Sequence, residues 1–154
     1  MSEWKRVTRE VPFERLPAEM VSVIRDHIEQ YNLGSILSDA LLAIQTDSEK
    51  PKKGLFGKAE SVQMGAVVTP RWLVWAISGT KTNPTALSAQ LINLTVQDYA
   101  QTPFAKMVPD TGIEVSGLFT DASAPASAFL GLDESAAAQK FREALIKAVQ
   151  DAKK

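Results

Sequence analysis

Residues 61–79 have the sequence SVQMGAVVTPRWLVWAISG, the longest apolar segment of the chain. Apolar and polar residues alternate between 62 and 69, and this period of two predicts a β-strand. Pro70 blocks a ladder hydrogen bond and therefore predicts a turn. Residues 71–78 (RWLVWAIS) are apolar on both faces. We therefore predict a β-hairpin whose second strand lies near the centre of a sheet.

The composition predicts one folded domain of ordinary character. The chain has 154 residues, of which 45% are hydrophobic and 23% are charged. Its net charge of −1 gives no reason to expect a nucleic-acid partner. The absence of cysteine excludes disulfides and thiolate metal sites and suits a cytoplasmic protein. The first ten residues contain no signal-peptide pattern, and no apolar run reaches the roughly 18 residues of a membrane span. Any membrane contact is expected to be peripheral.

The sequence before the hairpin predicts an arm, a helix and a further strand. Residues 1–12 are polar and predict a loosely held arm around Trp4. Apolar residues at helical spacing predict an amphipathic helix over 17–31; they include Met20, Ile24, Ile28 and Tyr31. Alternation within residues 35–49 favours a strand, and KPKKGLFGKA at 50–59 predicts a basic loop between strands.

The sequence after the hairpin predicts more strands and one closing helix. Residues 79–85 (GTKTNPT) predict a loop, and the next strand changes phase near Leu91 and Ile92, which predicts a bulge or corner. A connection over 100–112 precedes two strands, at 113–119 and 126–132. From about 134 to 150 the period becomes 3.6 and predicts a helix, whose apolar stripe is Ala138, Phe141, Leu145, Ala148 and Val149.

This order of about seven strands and a final helix resembles the bacterial pleckstrin-homology-like (PH-like) domains. The resemblance covers residues 35–152, and the matching motif residues are Val67, Val68, Thr69, Arg71, Trp72, Leu73 and Trp75. It implies a mainly β (α+β) fold, a strongly bent antiparallel barrel capped by the C-terminal helix. The chain would then divide into an N-terminal arm and extra helix (1–34) and the barrel domain (35–154). Members of this superfamily act mainly as binding or scaffolding modules, so we expect a non-enzymatic module of that type.

The basic loop is the first candidate for a binding site, through Lys52, Lys53 and Lys58. Eukaryotic pleckstrin-homology domains grip phosphoinositide phosphates with a basic loop between their first two strands, and the resemblance places these lysines in the corresponding loop. The arginine expected inside the next strand is missing, since residues 61–63 are Ser-Val-Gln. The lysines and the apolar pair at 55–56 could also contact an anionic membrane surface. A merely solvated loop is the favoured interpretation, because four charges in such a loop are common by chance.

Catalytic and metal-binding motifs are incomplete in this sequence. His27 is the only histidine, and on the apolar face of a helix we interpret it as a packed or interface residue. Residues 110–112 (Asp-Thr-Gly) match the aspartic-protease tripeptide, but one copy after a proline is ordinary turn chemistry. Residues 54–58 lack the spacing of a phosphate-binding loop. We therefore expect no enzymatic activity, no cofactor and no metal.

Two further hypotheses concern apolar surface. The helix at 17–31 carries a stripe of Met20, Ile24, Ile28 and Tyr31 that must be covered either by the protein's own sheet or by a second copy of the chain. We predict self-association, a homo-oligomer. The alternative to a binding module is a small carrier of apolar ligands, with Met20, Met64 and aromatic residues lining a cavity between sheet and helix.

Overall fold

The computed structural model describes residues 3–154, which form one antiparallel sheet and two α-helices. The strands are β1 (Lys5–Glu10), β2 (Leu42–Lys50), β3 (Glu60–Val68), β4 (Trp72–Gly79), β5 (Thr82–Asp98), β6 (Gly112–Phe119) and β7 (Ala126–Gly131). Helix α1 (Ala18–Gln30) lies between β1 and β2 in the chain, and α2 (Ala136–Ala152) follows β7. Each strand pairs with its neighbour in sequence, so the sheet is a meander with β1 and β7 at its edges.

The predicted central hairpin is confirmed as β3 and β4. Val67 pairs with Val74, and β4 is the fourth of the seven strands. Thr69 shapes the turn, because its hydroxyl accepts hydrogen bonds from the backbone nitrogens of Trp72 (2.9 Å) and Arg71 (3.2 Å). The predicted burial of β4 on both sides is also confirmed, since Val74 and Trp75 face opposite sides of the sheet and both are buried.

The sheet has an inner face covered by α2 and an outer face covered by α1. The inner cluster includes Ile44, Ala66, Trp75, Phe141 and Leu145. The outer cluster includes Ala43, Val67, Val74, Met20 and Ile24. Because β2, β3 and β4 lie between two helices, they carry apolar residues on both faces.

The described strands do not form the closed barrel that the resemblance implied. No ladder joins the edge strands β1 and β7. The two edges nevertheless approach each other, as two hydrogen bonds show. The backbone nitrogen of Thr8 donates to Asp133 (2.9 Å), and the backbone nitrogen of Asp133 donates to Thr8 Oγ1 (3.1 Å). The fold is therefore α+β, a curled open sheet with one helix packed on each face.

The prediction of a loose N-terminal arm is wrong for residues 5–10, which form edge strand β1. Its residues pair with β2 from Lys5 opposite Glu49 to Glu10 opposite Ile44. The period of two is hidden in the sequence because the positions facing inward, Arg6 and Thr8, are polar. Met1 and Ser2 of the predicted arm lie outside the described residues.

The prediction of a loop over residues 79–85 is also wrong. The turn takes only Thr80 and Lys81, and β5 begins at Thr82. Pro84 is tolerated in this strand because the register between β4 and β5 shifts there, between the pairs Ile77–Thr85 and Gly79–Thr82. A proline at a bulge removes no ladder hydrogen bond.

The predicted phase change in the following strand is confirmed as an irregularity in β5. Its pairing with β6 jumps from Ala89–Phe119 to Leu94–Gly117, so extra residues of β5 bulge out between these pairs. A side chain at Gly117 would lie 1.9 Å from the backbone oxygen of Asn93. Only glycine permits this close approach, which bends the 17-residue strand.

Both predicted helices are confirmed. Helix α1 has Pro17 at its N-cap, and α2 is capped by Ser135, whose hydroxyl accepts from the backbone nitrogen of Ala138 (3.3 Å). The apolar stripe predicted for α2 coincides with its buried residues, which are Ala138, Phe141, Leu145, Ala148 and Val149.

We predict that Phe141→Ala lowers the free energy of unfolding by about 3–5 kcal/mol, because Phe141 is fully buried between α2 and the inner face. Ile146→Ala on the same helix is the control, since Ile146 is 42% exposed. Denaturant unfolding measures both. A loss below about 1 kcal/mol for Phe141→Ala, as for a surface change, would contradict the packing of α2.

Candidate functional site

One end of the sheet collects the β2–β3 loop, the β4–β5 turn and the start of β1. Lys50 pairs with Glu60 at the base of the loop, and Lys5 pairs with Glu49 beside it. The backbone nitrogen of Thr80 donates to the oxygen of Ser61 (3.0 Å), which holds the β4–β5 turn against the same end. We call residues 3–5, 49–61 and 80–81 the lysine-rich end.

The lysine-rich end is positively charged although the whole chain has a net charge of −1. It holds six lysines, namely Lys5, Lys50, Lys52, Lys53, Lys58 and Lys81. Its acids are three, Glu3, Glu49 and Glu60. The surplus of three positive charges creates a local field that attracts anions.

The three lysines singled out from the sequence, Lys52, Lys53 and Lys58, lie together in this loop, and all are exposed. Lys53 forms an ion pair with Glu3, which also contacts Lys50 at 3.1 Å. Hydrogen bonds from Lys53 and then Lys50 lower the pKa of Glu3 below its usual value. Because β1 is the first strand, the loop joins the second and third strands, not the first two as the resemblance implied.

The tip of the loop is apolar and faces solvent. Leu55 is 87% exposed and Phe56 is 97% exposed. Gly57 fixes the bend behind them, because a side chain there would lie 2.0 Å from the backbone oxygen of Lys53. The loop therefore presents two large apolar side chains between Lys53 and Lys58, an arrangement that favours contact with an interface between water and apolar material.

A row of aromatic and cationic side chains runs from the base of the loop to the far edge of the sheet. The Lys50 ammonium lies 6.0 Å from the Trp4 ring, and the Arg6 guanidinium lies 5.4 Å from the rings of Trp4 and Phe129. Tyr99 contacts Phe129 with ring centroids 4.9 Å apart. The sequence does not reveal this row, because its members come from the start of β1, the end of β2, β7 and the connection after β5.

Arg6 forms a buried ion pair across the gap between the two sheet edges. Its guanidinium donates to both carboxylate oxygens of Asp110 (3.1 and 2.6 Å) and to Ser48 Oγ (2.5 Å). The Arg6 and Asp110 side chains are 8% and 11% exposed. Asp110 of the Asp-Thr-Gly tripeptide therefore has a structural role, since it holds strand β1 close to the start of β6. The pairing is bidentate, which suits the planar guanidinium of arginine.

His27 is packed between α1 and β5, as the sequence indicated for its side chain. Its Nε2 lies 2.8 Å from Ser88 Oγ, which lies 2.6 Å from Thr120 Oγ1. Tyr31 contacts the imidazole with ring centroids 4.8 Å apart. Ser88 is fully buried, so its hydroxyl does not meet solvent or substrate and the chain of hydrogen bonds ties α1 to the sheet.

Two pKa shifts follow from burial and hydrogen bonding in the core. Burial lowers the pKa of His27 from its usual 6.5, and the charge of Asp121 opposes this only in part. Burial alone would raise the pKa of Asp133, but hydrogen bonds from Ser135 and Thr8 together lower it below the usual value. Asp133 therefore keeps its charge while it connects β1 to the start of α2.

The apolar stripe of α1 is covered by its own sheet, one of the two arrangements open from the sequence. Met20 and Ile24 are fully buried, while Ile28 and Tyr31 are half-buried. Self-association stays a prediction. Of the two methionines considered as cavity lining, Met20 packs in the outer cluster and Met64 lies on the inner face.

Comparison with protein-family models, with curated proteins and with solved structures finds no match to this chain. No helix within residues 3–154 has the length and apolar character needed to cross a membrane. Within the same residues, no group of three or more histidine, aspartate or glutamate side chains is arranged to hold a metal ion. The geometry of the lysine-rich end is therefore the basis for a functional proposal.

We predict that the protein loses stability as the pH falls from about 7 through 6.5 toward the lowered pKa of folded His27. In that window the unfolded chain binds a proton that the folded chain does not, so protonation favours unfolding. The imidazole contacts the neutral side chains of Ser88 and Tyr31, and Ser88 contacts Thr120. The charged group that acts on the imidazole is Asp121.

Denaturant unfolding between pH 7 and 5 tests this for the wild type and for His27→Gln, which removes the titrating group and keeps a hydrogen-bonding side chain. Because His27 is the only histidine, the variant should show a flatter profile. An equal pH dependence in both proteins would contradict the assignment.

Proposed function

We propose that this protein is a non-enzymatic binding module that attaches peripherally to anionic membrane surfaces through its lysine-rich end. The observation that carries the proposal is the loop tip, where Leu55 and Phe56 are almost fully exposed between lysines. Exposed apolar side chains are costly in water and favourable in the interface of a bilayer. The lysines around them are attracted by acidic lipid headgroups, whereas a neutral or cationic surface does not attract them.

The surroundings of the loop support the same orientation toward a surface. Lys5 and Lys50 add positive charge on the adjoining strands, and Lys81 adds it in the β4–β5 turn. Trp4 lies half-buried at the base of the loop, and tryptophan is favoured at the boundary between headgroups and acyl chains. These groups lie on or next to strands β1 to β5 of one hydrogen-bonded sheet, so the charges and the apolar tip are presented together by a rigid support.

The proposal includes a PH-like fold, here as a strongly bent open sheet capped by α2. The antiparallel strands β2 to β7, paired in sequence order within residues 35–152 and followed by one helix, support it; the seventh strand, β1, lies outside that range. The side chains that connect β1 with the region around β7 support the strong bend. The position of the basic loop does not support it, since that loop joins β2 and β3. The proposed function therefore depends on the chemistry of the loop rather than on the family.

The lysines are tested by sedimentation with vesicles of phosphatidylcholine containing phosphatidylserine. Each lysine near such a surface contributes about 1 kcal/mol, so we expect Lys52→Ser, Lys53→Ser and Lys58→Ser together to weaken binding by about 3 kcal/mol, roughly 150-fold. The matched control changes Lys140, Lys147 and Lys154 to Ser, which alters the net charge equally on helix α2 and its end. Equal losses in both triple variants would remove the loop from the binding surface.

The apolar tip is tested separately by its salt dependence. Screening weakens the lysine contribution at high salt, and the contribution of Leu55 and Phe56 remains. We expect Leu55→Ser with Phe56→Ser to abolish the salt-resistant part of vesicle binding, a change on the order of 2 kcal/mol. Leu41→Ser with Ile92→Ser is the control, because both are about half exposed and lie away from the loop. Salt-resistant binding by the tip variant would contradict insertion.

A further inference from the structure

A cavity of about 230 Å³ lies inside the curl of the sheet near the lysine-rich end. Met64 and Ile77 are opposite each other in the β3–β4 ladder and line its apolar side together with Val62. Trp4, Arg6 and Phe129 line the side where the two sheet edges approach. Asp110, the ion-pair partner of Arg6, lines the same side, so the cavity has an apolar wall and a rim of aromatic rings and one ion pair.

The cavity exists because α2 fills only the other part of the inner face. Val68 and Leu73, which pair at the far end of the β3–β4 hairpin, are fully buried in the cluster that contains Phe141. Toward the lysine-rich end burial decreases, and Val62 and Ile77 are only half-buried. Apolar surface that the protein's own side chains leave uncovered can be covered by an apolar ligand.

The rim restricts what kind of ligand fits. The Arg6 guanidinium already donates to Asp110 and Ser48. It therefore forms part of the cavity wall and is not the group that pairs with a ligand. The cation next to the rim is Lys50, whose ammonium lies 6.0 Å from the Trp4 ring and pairs with the exposed carboxylate of Glu3 (3.1 Å), a solvent-exposed contact that an anionic ligand end can replace. A ligand with an apolar body in the cavity would therefore hold its polar end beside lysines, which favours an anionic end.

We propose that this cavity binds one acyl chain that carries an anionic head, with the chain against Val62, Met64 and Ile77 and the head beside Lys50. The volume is below the roughly 300 Å³ at which pockets for drug-sized ligands begin, so part of one chain fits and a whole lipid does not. The inference rests on the proposed function in one respect: a membrane lipid can supply the chain because the rim adjoins the surface proposed to meet the membrane. The chain comes either from a free fatty acid or from a lipid of that surface.

Methyl NMR of the full chain with labelled methionine tests the site directly, using butanoate, hexanoate, octanoate and decanoate as probes. Met64 should shift on binding, and Met20 on the outer face should not. Affinity should rise about fourfold with each added methylene until the cavity is full, since burying one contributes about 0.8 kcal/mol. Equal shifts at Met20 and Met64, or a shift at exposed Met107 alone, would overturn the proposal.

Val62→Phe fills the cavity and should reduce decanoate affinity at least tenfold, whereas Val21→Phe on helix α1 should leave it unchanged. Both positions are half-buried valines, so the two variants are matched. Thermal unfolding confirms that each is folded, and Ile77→Phe replaces Val62→Phe if the latter is not. Decanoate binding of wild-type strength in a folded cavity-filling variant would overturn the proposal.

The same variants separate this inference from the proposed function. The triple change at Lys52, Lys53 and Lys58 should reduce vesicle binding and leave decanoate binding intact. Val62→Phe should reduce decanoate binding and leave vesicle binding intact. Decanoate binding lost only in the lysine variant would overturn the cavity assignment without touching the membrane proposal. A Met64 shift caused by phosphatidylserine vesicles alone would identify the lipid as the source of the chain, and a shift with decanoate alone would identify free fatty acid.

Discussion

The bend in strand β5 is the constraint on which the rest of the structure depends. A 17-residue strand cannot remain flat and pair regularly with neighbours on both sides of a small sheet. Its pairing with β6 breaks between Ala89 and Leu94, and Gly117 accepts the close approach of Asn93 that the break requires. The sheet consequently curls until Arg6 on the first strand reaches Asp110, just before the sixth. The inner face thus lines a concave interior with two ends.

The two ends of this interior differ because only one helix enters it. Helix α2 buries Phe141 and Leu145 against one part, and helix α1 lies on the outer face, tied down by the hydrogen bond of His27 to Ser88. The other end keeps its apolar side chains half-covered and carries the lysines on its loops. The lysine-rich end therefore combines positive charge, an exposed apolar tip and a partly open interior. All three features favour contact with anionic lipid.

The sequence predicted the elements that have apolar periodicity and failed where polar residues face inward. The β3–β4 hairpin and the α2 stripe were predictable because alternation and helical spacing are visible in apolar residues. Strand β1 was not, since Arg6 and Thr8 face inward and find their partners more than a hundred residues away. Lys52, Lys53 and Lys58 could be located in a loop, but their grouping with Lys5 and Lys81, and the row from Trp4 to Phe129, arise only from tertiary structure.

The central claim is that the lysine-rich end is the surface that meets an anionic membrane. Backbone amide NMR with phosphatidylserine vesicles that carry a nitroxide-labelled lipid tests it most directly, because broadening reports proximity to the bilayer residue by residue. The account predicts the strongest broadening at residues 54–57, weaker broadening at 80–81 and none along α2. Broadening strongest on either helix, or uniform over the sheet, would contradict it.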